Sequence, residues 1–329
     1  MSEFIHYEDI EEHLKGKKHS WIVTGAAGFI GSHVVKRLLE LRQDVIGADN
    51  TVGYLKNLEF LRTEKGFAKN FKYLGGDCNY PEFCQKIVTE GVKVVHLAAL
   101  GSAPRSQKYP TRVFLNNVTA FANMIEASRL NRAGSFVYAS SSSGVVCLSP
   151  YGASKSACDR LAYSYGKSFN FNSVPLRFFN VFGPGQIMTG EYAPAIGKWI
   201  HQISMGKKPI LYGNCNRDFT YIENAVRAVL QSSMSIIPVF QVFDIGHGVS
   251  TRVKYILDYI IKTINPKIKP DIQNGRSCDP IDSESKLMPA QKAFGYRPII
   301  SVYEGIDKYI EWYKQNDIAS KIHFYKSEG

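Results

Sequence analysis

Tyr151 and Lys155 lie four residues apart in Tyr151-Gly152-Ala153-Ser154-Lys155, a spacing that puts a phenol and an ammonium on one face of a helix. A phenol with an ordinary pKa of about 10 is a poor base near neutrality. A neighbouring cation stabilises the phenolate and lowers that pKa, so Tyr151 is a candidate general base for a hydroxyl. Taken alone, a Tyr-x-x-x-Lys pair is more often structural than chemical. Here it follows a strand-like run ending in Ser140-Ser141-Ser142-Ser143, and α/β sheets bind ligands at the C-terminal ends of their strands.

A second cluster stands near the start of the chain. Gly25-Ala26-Ala27-Gly28-Phe29-Ile30-Gly31 follows the apolar run Trp21–Thr24 and opens a helical pattern over Ser32–Leu41. Glycines there allow a tight turn and a close backbone approach to a pyrophosphate. The helix N-terminus then offers free N–H groups and a positive dipole end to that anion. Asp49 closes the next strand-like run, near the offset of about 20 residues expected for an acid on an adenosine ribose 2′-OH. An acid at that place repels a 2′-phosphate, which favours NAD over NADP.

Such residues need elements to hold them. Strands are expected at Trp21–Thr24, Val45–Ala48, Phe71–Leu74, Val92–Leu97, Phe136–Ala139 and Val174–Phe178, with helices between them, notably Arg112–Arg129 and Tyr151–Phe169. That alternation implies βαβ units and a doubly wound parallel sheet, an α/β fold. After Phe182-Gly183-Pro184-Gly185 the rhythm changes. The remainder reads as a smaller, less regular α/β lobe: a short strand at Ile210–Tyr212, helices near Glu223–Ser232, Arg252–Ile264 and Val302–Tyr313, and some strands returning to the first sheet. The expected division is an N-terminal helical extension over 1–19, a dinucleotide-binding domain over 20–180 and a substrate lobe over 181–329.

With 44% hydrophobic and 21% charged residues in 329, the composition suits a soluble globular enzyme and argues against wholesale disorder or a fibre. No apolar run approaches the ~18 residues of a membrane span. Met1–Lys18 has no apolar stretch of a secretory signal. The six cysteines form no CxxC pair, so reduced thiols and a cytoplasmic location are expected, with no metal site. Lys and Arg total 40 against 29 Asp and Glu, a net +11. That excess suits an anionic partner such as nucleic acid, an acidic membrane or a phosphorylated small molecule. The basic residues are scattered, however, and a solvated basic surface accounts for them; neither nucleic acid nor a membrane is expected as a partner.

Beyond these two clusters, more segments bear on identity: His96-Leu97-Ala98-Ala99-Leu100-Gly101-Ser102-Ala103-Pro104-Arg105-Ser106, Ser149–Lys155, Leu176-Arg177-Phe178-Phe179-Asn180-Val181-Phe182-Gly183 and Arg217-Asp218-Phe219-Thr220-Tyr221-Ile222. From about Trp21 to Tyr313 the chain resembles the extended short-chain dehydrogenase/reductases that act on nucleotide sugars. It is most similar to NAD-dependent UDP-sugar 4-epimerases, particularly bacterial enzymes that interconvert UDP-N-acetylglucosamine and UDP-N-acetylgalactosamine. The resemblance implies a Rossmann-type fold, a homodimer built on the Arg112–Arg129 and Tyr151–Phe169 helices, and a UDP-sugar substrate. It further implies that Gly25, Gly28, Phe29, Ile30 and Gly31 hold the NAD pyrophosphate and that Asp49 and Asn50 hold the ribose. Asp77, with Cys78 beside it, would reach the adenine. Leu97, Ala98, Ala99, Asn117 and Phe178 would line the dinucleotide. Tyr151 would be the base and Lys155 would hold the nicotinamide ribose, with Ser141 and Ser143 at the reacting sugar. Asn180 and Arg217 would bind the diphosphate, and Arg276 and Asp279 the phosphates and uridine ribose. Ser102 and Arg105 belong to a segment most like the N-acetylhexosamine subgroup. Ser283 aligns with a gatekeeper beside the sugar's 2-position, where a small residue leaves room for an N-acetyl group. In the implied reaction Tyr151 removes the C4 hydroxyl proton as NAD takes the C4 hydride; the 4-keto sugar turns and receives the hydride on its other face.

The sequence departs from that family in its loops. Only Gly144-Val145-Val146-Cys147-Leu148-Ser149-Pro150 joins Ser143 to Tyr151, where the family usually has a longer, acidic connection. Either the loop has been lost, which would open the substrate pocket, or loop residues are missing from this sequence; an added acidic loop would lower the +11. Two other functions compete with epimerisation. A nucleotide-sugar dehydratase or decarboxylase of the same fold usually needs Asp-Glu where Ser142 and Ser143 stand. A catalytically silent NAD-binding regulator would have no reason to keep Ser141, Tyr151 and Lys155.

Overall fold

The computed structural model describes residues 7–50, 55–64, 66–237, 240–275 and 281–326. Its main sheet is built from strands β1 (Ser20–Thr24), β2 (Asp44–Asp49), β3 (Phe71–Gly75), β4 (Lys93–His96), β5 (Ser135–Ser141) and β6 (Val174–Phe178), with a seventh strand at Phe243–Ile245. The order across the sheet is Phe243–Ile245, β6, β5, β4, β1, β2, β3, and every pairing is parallel. This is the expected doubly wound arrangement, in which the strand order reverses at β1. Parallel strands covered on both faces read as apolar runs, and in β1 all but Ser20 are buried.

Helices cover the sheet because their apolar stripes have nowhere else to go. Phe29–Glu40 buries Val34, Val35, Leu38 and Leu39, each worth about 1.5–3 kcal/mol when fully buried. Pro110–Leu130 and Pro150–Phe169 pack on each other and feed Phe121, Met124, Ile125, Cys158 and Ala162 into a core shared with Val94, Phe136 and Tyr138. Pro150 sits in the first turn of its helix, and Ser149 caps it by accepting from the Gly152 N–H, a common way to satisfy a free amide.

The chain forms two compact units. One contains Met1–Phe178, Ala225–Ile245 and Leu287–Arg297; the other contains Phe179–Asn224, Gly246–Lys286 and Pro298–Gly329. The second unit holds helices Ala195–Ser204, Val253–Ile264 and Val302–Gln315 and three two-stranded pairings. Helices Pro81–Ile87, Ala103–Lys108, Ser143–Val146, Ala195–Ser204 and Met288–Phe294 were absent from the sequence expectation. Four of these are seven residues or fewer, too short for an apolar period to show.

His96 ends β4 inside the core. Its Nδ1 is 2.8 Å from the Thr24 hydroxyl, and its ring stacks near Phe136. Burial, and then the charge on Lys155, lowers its pKa to about 3. The unfolded chain therefore takes up a proton below about pH 6.5 that the native state refuses, so stability is lost as pH falls from 6.5 towards 3. The slope should be about 1.4 kcal/mol per pH unit from this group. In urea unfolding at pH 6, 5 and 4, His96→Asn should lose stability less steeply than the parent; equal slopes would show that His96 is not the group responsible.

Candidate active site

The turn after β1 is shaped by glycine. Gly25 has φ +68, and a Cβ there would lie 2.9 Å from the Ala98 backbone nitrogen. A Cβ on Gly31 would sit 2.0 Å from the Gly25 carbonyl oxygen, so no other residue fits without moving backbone. Gly28 donates its N–H to Gly25 at 3.0 Å and precedes the helix that begins at Phe29. The N–H groups of Phe29, Ile30 and Gly31 belong to the first turn, which lacks intrahelical acceptors. Asp49, at the end of β2, accepts from the Ala27 N–H at 3.0 Å, so the expected ribose ligand also braces the turn. Asn50 donates to Asp77 at 3.0 Å. Burial alone would raise the Asp77 carboxyl, but the Asn79 backbone N–H and the Asn50 and Asn79 amides lower it overall. Cys78 is buried, and the Cys84 thiol and burial push its own thiol up; it is a packing residue next to Asp77.

A lock on the other side of the turn sets the approach distance. The Ala98 N–H donates to the Thr24 hydroxyl at 3.2 Å, the same hydroxyl that meets His96. Leu97 donates its N–H to the Thr24 carbonyl at 3.2 Å. Leu97, Ala98 and Ala99 thus run past Gly25 as half-buried backbone. Asn117, expected to approach the cofactor, is fully buried. Its amide accepts from the Leu100 N–H at 2.7 Å and donates to the Ser154 hydroxyl at 3.0 Å, which ties this loop to the Tyr151 helix. Ser102 has φ +90 and caps Ala103–Lys108, accepting from the Arg105 N–H; its hydroxyl is engaged locally.

Ser141, Ser143, Tyr151 and Lys155 come from adjoining elements of one unit. Ser141 ends β5, opposite Phe178 of β6, and its hydroxyl accepts from the Ser143 N–H at 3.2 Å. Phe178 accepts from the Ser142 N–H at 3.1 Å and has its side chain buried. Lys155 is buried and donates from Nζ to the Ala139 carbonyl of β5 at 2.9 Å. That bond pins the helix to the strand two residues before Ser141. Asp159, one turn further along the helix, accepts from the Ser140 and Tyr138 hydroxyls at 2.8 and 2.9 Å. Arg177 lies 4.0 Å from Asp159 and 3.2 Å from Asp244. Burial raises the Asp159 carboxyl despite these partners. The short connection to the helix is closed: Ser143–Val146 is one helical turn, Cys147 is left-handed, and Ser149 is the cap.

In the second unit, Asn180 (φ +37) donates to the Asp218 carbonyl at 2.7 Å. Arg217, nearly buried, lies on the strand Asn216–Arg217 and donates to the Asn216 carbonyl. Asp218 is fully buried and takes the N–H groups of His247, Gly248 and Ser285 and the Ser285 hydroxyl, at 2.5–3.1 Å. Its own N–H donates to the Ser283 carbonyl at 2.9 Å, so Asp218 fixes Ser283 in place. The Ser283 hydroxyl is buried with no hydrogen-bond partner among the described residues. Arg276 and Asp279 lie outside the described residues. Asp159 and Asp218 were given no role by sequence, although Asp218 stands within the Arg217–Ile222 segment.

A parallel sheet with a glycine turn into a helix, an acid on the second strand and a serine–tyrosine–lysine group beside it defines a dinucleotide-dependent enzyme of the short-chain dehydrogenase/reductase type. Residues 21–236 match the NAD dependent epimerase/dehydratase family; the chain belongs to that family, and NAD is its cofactor. It is 29% identical to a putative UDP-glucose 4-epimerase of Methanocaldococcus jannaschii, over 90% of this chain and 99% of the relative. It is also similar to the structure of a UDP-N-acetylglucosamine 4-epimerase from Methanobrevibacter ruminantium in complex with UDP-N-acetylmuramic acid, with TM-score 0.82 and 27% identity, covering 91% of this chain and 99% of the other. A UDP-glucuronic acid 4-epimerase from Bacillus cereus, bound to UDP-glucuronic acid and NAD, has TM-score 0.78 and 25% identity over 90% and 99%.

The 2.0 Å approach at Gly31 makes Gly31→Ala a direct test of the cradle. The variant should lose about 1–3 kcal/mol of stability and co-purify with less NAD. Thermal unfolding and the nucleotide content of an acid extract check both; a variant with parental melting and NAD content would show that the turn does not hold the cofactor.

Proposed function

We propose that this protein is a UDP-sugar 4-epimerase whose substrate is UDP-N-acetylglucosamine or UDP-N-acetylgalactosamine. One observation carries the chemistry: Lys155 fixed on the Ala139 carbonyl holds its helix, and so Tyr151, against the strand that ends at Ser141. Bound NAD supplies a hydride acceptor and donor at the sugar's C4. Tyr151 takes the proton from the C4 hydroxyl and later returns one, as general base and then general acid. The Ser141 hydroxyl donates a hydrogen bond to the same sugar oxygen, and Ser143 stands beside it. Asn180 and Arg217 bind the diphosphate; Arg217 has five N–H donors for charge-assisted contacts. Remote binding of the nucleotide leaves the sugar end free to turn.

The N-acetyl assignment is supported by Ser283. It is small, its backbone is held by Asp218, and its buried hydroxyl has no partner among the described residues. A dehydratase is disfavoured because Ser142 and Ser143 offer no carboxylate for acid–base work on the sugar. A homodimer is supported by large apolar side chains left exposed on the two long helices of the first unit, Leu115, Leu130, Tyr163 and Phe169.

Incubation with UDP-N-acetylglucosamine, followed by NMR of the anomeric signals, should yield UDP-N-acetylgalactosamine without net NADH. Tyr151→Phe should lower the rate by about 10²–10⁴; near-parental turnover would remove Tyr151 from the mechanism. Ser283→Tyr should lower kcat/KM for the N-acetylated sugar at least about tenfold relative to UDP-glucose. An unchanged ratio would refute the gatekeeper role.

A further inference from the structure

Few of the cations behind the net +11 serve the chemistry above, and the fold concentrates some of the others. Tyr192–Arg217 contains no Asp or Glu, and neither does Tyr259–Pro270. The second unit brings these stretches together: Ile210–Tyr212 pairs in parallel with Asp271–Gln273, Ile210 opposite Asp271. The Asp271 N–H donates to the Pro209 carbonyl at 2.9 Å. The residues entering this pair, Lys207 and Lys208 on one side and Lys267 and Lys269 on the other, are therefore neighbours. All four are exposed, and none is in an ion pair among the described residues.

Both approaches are rigid. The Gly206 and Lys207 N–H groups close the end of helix Ala195–Ser204 on the Ile203 and Gln202 carbonyls. Asn265 turns the other stretch, its side chain accepting from the Lys267 N–H at 3.2 Å and its carbonyl from the Ile268 N–H. Each lysine pair follows a helix C-terminus, where one cation would satisfy the dipole; two pairs side by side exceed that need. Asp258, in the middle of the second helix, is paired with Lys254 at 2.6 Å. Burial, and then the charge of Lys207, lowers His201. Two exposed apolar side chains flank the lysines, Met205 at 47% and Ile272 at 65% exposure.

We propose that this patch docks the protein on an anionic lipid surface, with Lys207, Lys208, Lys267 and Lys269 facing the headgroups and Met205 and Ile272 entering the acyl boundary. Clustered lysines beside a few apolar side chains suit an interfacial anchor. A nucleic-acid groove would call instead for stacking aromatics between the cations. The docking is peripheral, since no helix of the described residues is long and apolar enough to cross a membrane.

Co-sedimentation of the full chain with vesicles of phosphatidylcholine alone and of phosphatidylcholine mixed with phosphatidylglycerol tests this. Binding should appear only with the anionic vesicles and weaken as salt rises. Changing Lys207, Lys208, Lys267 and Lys269 to Glu should reduce it at least tenfold. A charge-matched control with Lys15, Lys69, Lys72 and Lys86 changed to Glu should bind within about twofold of the parent. Met205→Asp with Ile272→Asp should also weaken it, and circular dichroism melts confirm that each variant folds. No binding to anionic vesicles, equal loss in the control, or displacement of the protein from vesicles by a polynucleotide that binds the same four lysines would overturn the proposal. The readout does not involve turnover, so failure here is distinct from failure of the epimerase reading.

Discussion

A buried carboxylate with just enough partners organises the packing of the Tyr151 helix on the sheet. Asp159 sits on the Tyr151 helix inside the core, and burial raises its pKa. A charge in that place is tolerable only if hydrogen bonds and a counter-charge reach it. The Ser140 and Tyr138 hydroxyls come from β5, and Arg177 comes from β6. Satisfying one carboxylate therefore orders helix against strand and strand against strand. Arg177 also meets Asp244, which extends the same constraint to the outermost strand. Lys155, one helical turn before Asp159, reaches Ala139 on the same β5. Two attachments on one face fix the helix against β5, on the turn that follows Tyr151.

The dinucleotide cradle obeys a different rule, based on the absence of atoms. Gly25 and Gly31 let backbone meet backbone at distances where a side chain could not exist. Close approach is useful only if both partners are held, and here the holders are polar side chains that bond backbone on either side of the turn. Thr24 joins His96 to Ala98, and Asp49 reaches back to Ala27. Burial, and then the Lys155 charge, keeps the His96 imidazole neutral in that arrangement.

The glycine turn, the acid on β2 and the tyrosine–lysine pair were legible because each is local: its meaning depends on spacing along one strand–turn–helix or one helix face. The parallel sheet was legible from the same alternation. Asp159 was not, because its partners on β5 are 19 and 21 positions away in sequence and meet it only once sheet and helix have packed. Asp218 is a stronger case, with donors 29, 30 and 67 positions distant. The bonds that hold Asn117 and Ser102 are equally non-local or conformational: the Asn117 amide clamps Leu100 and Ser154, and the Ser102 hydroxyl caps a helix. The strand Phe243–Ile245 was not located by sequence, since its place in the sheet is set by pairing with β6, 67 positions earlier in the chain.

The short link from Ser143 to Tyr151 shows how a departure from a family pattern can still be consistent with its chemistry. A Cβ on Gly152 would lie 2.3 Å from the Ser143 carbonyl oxygen, so the helical turn after β5 rests directly on the start of the Tyr151 helix. That contact needs a glycine at 152, a reversal at Cys147, which is left-handed, and a cap at Ser149 that leaves no slack. All three are present. A connection this tight has no length left over to fold across a substrate, yet it preserves the one relation the chemistry requires, between the end of β5 and the first turn of the helix. The relation between β5 and that helix is therefore fixed twice, by Asp159 and Lys155 in the core and by the tight link above them.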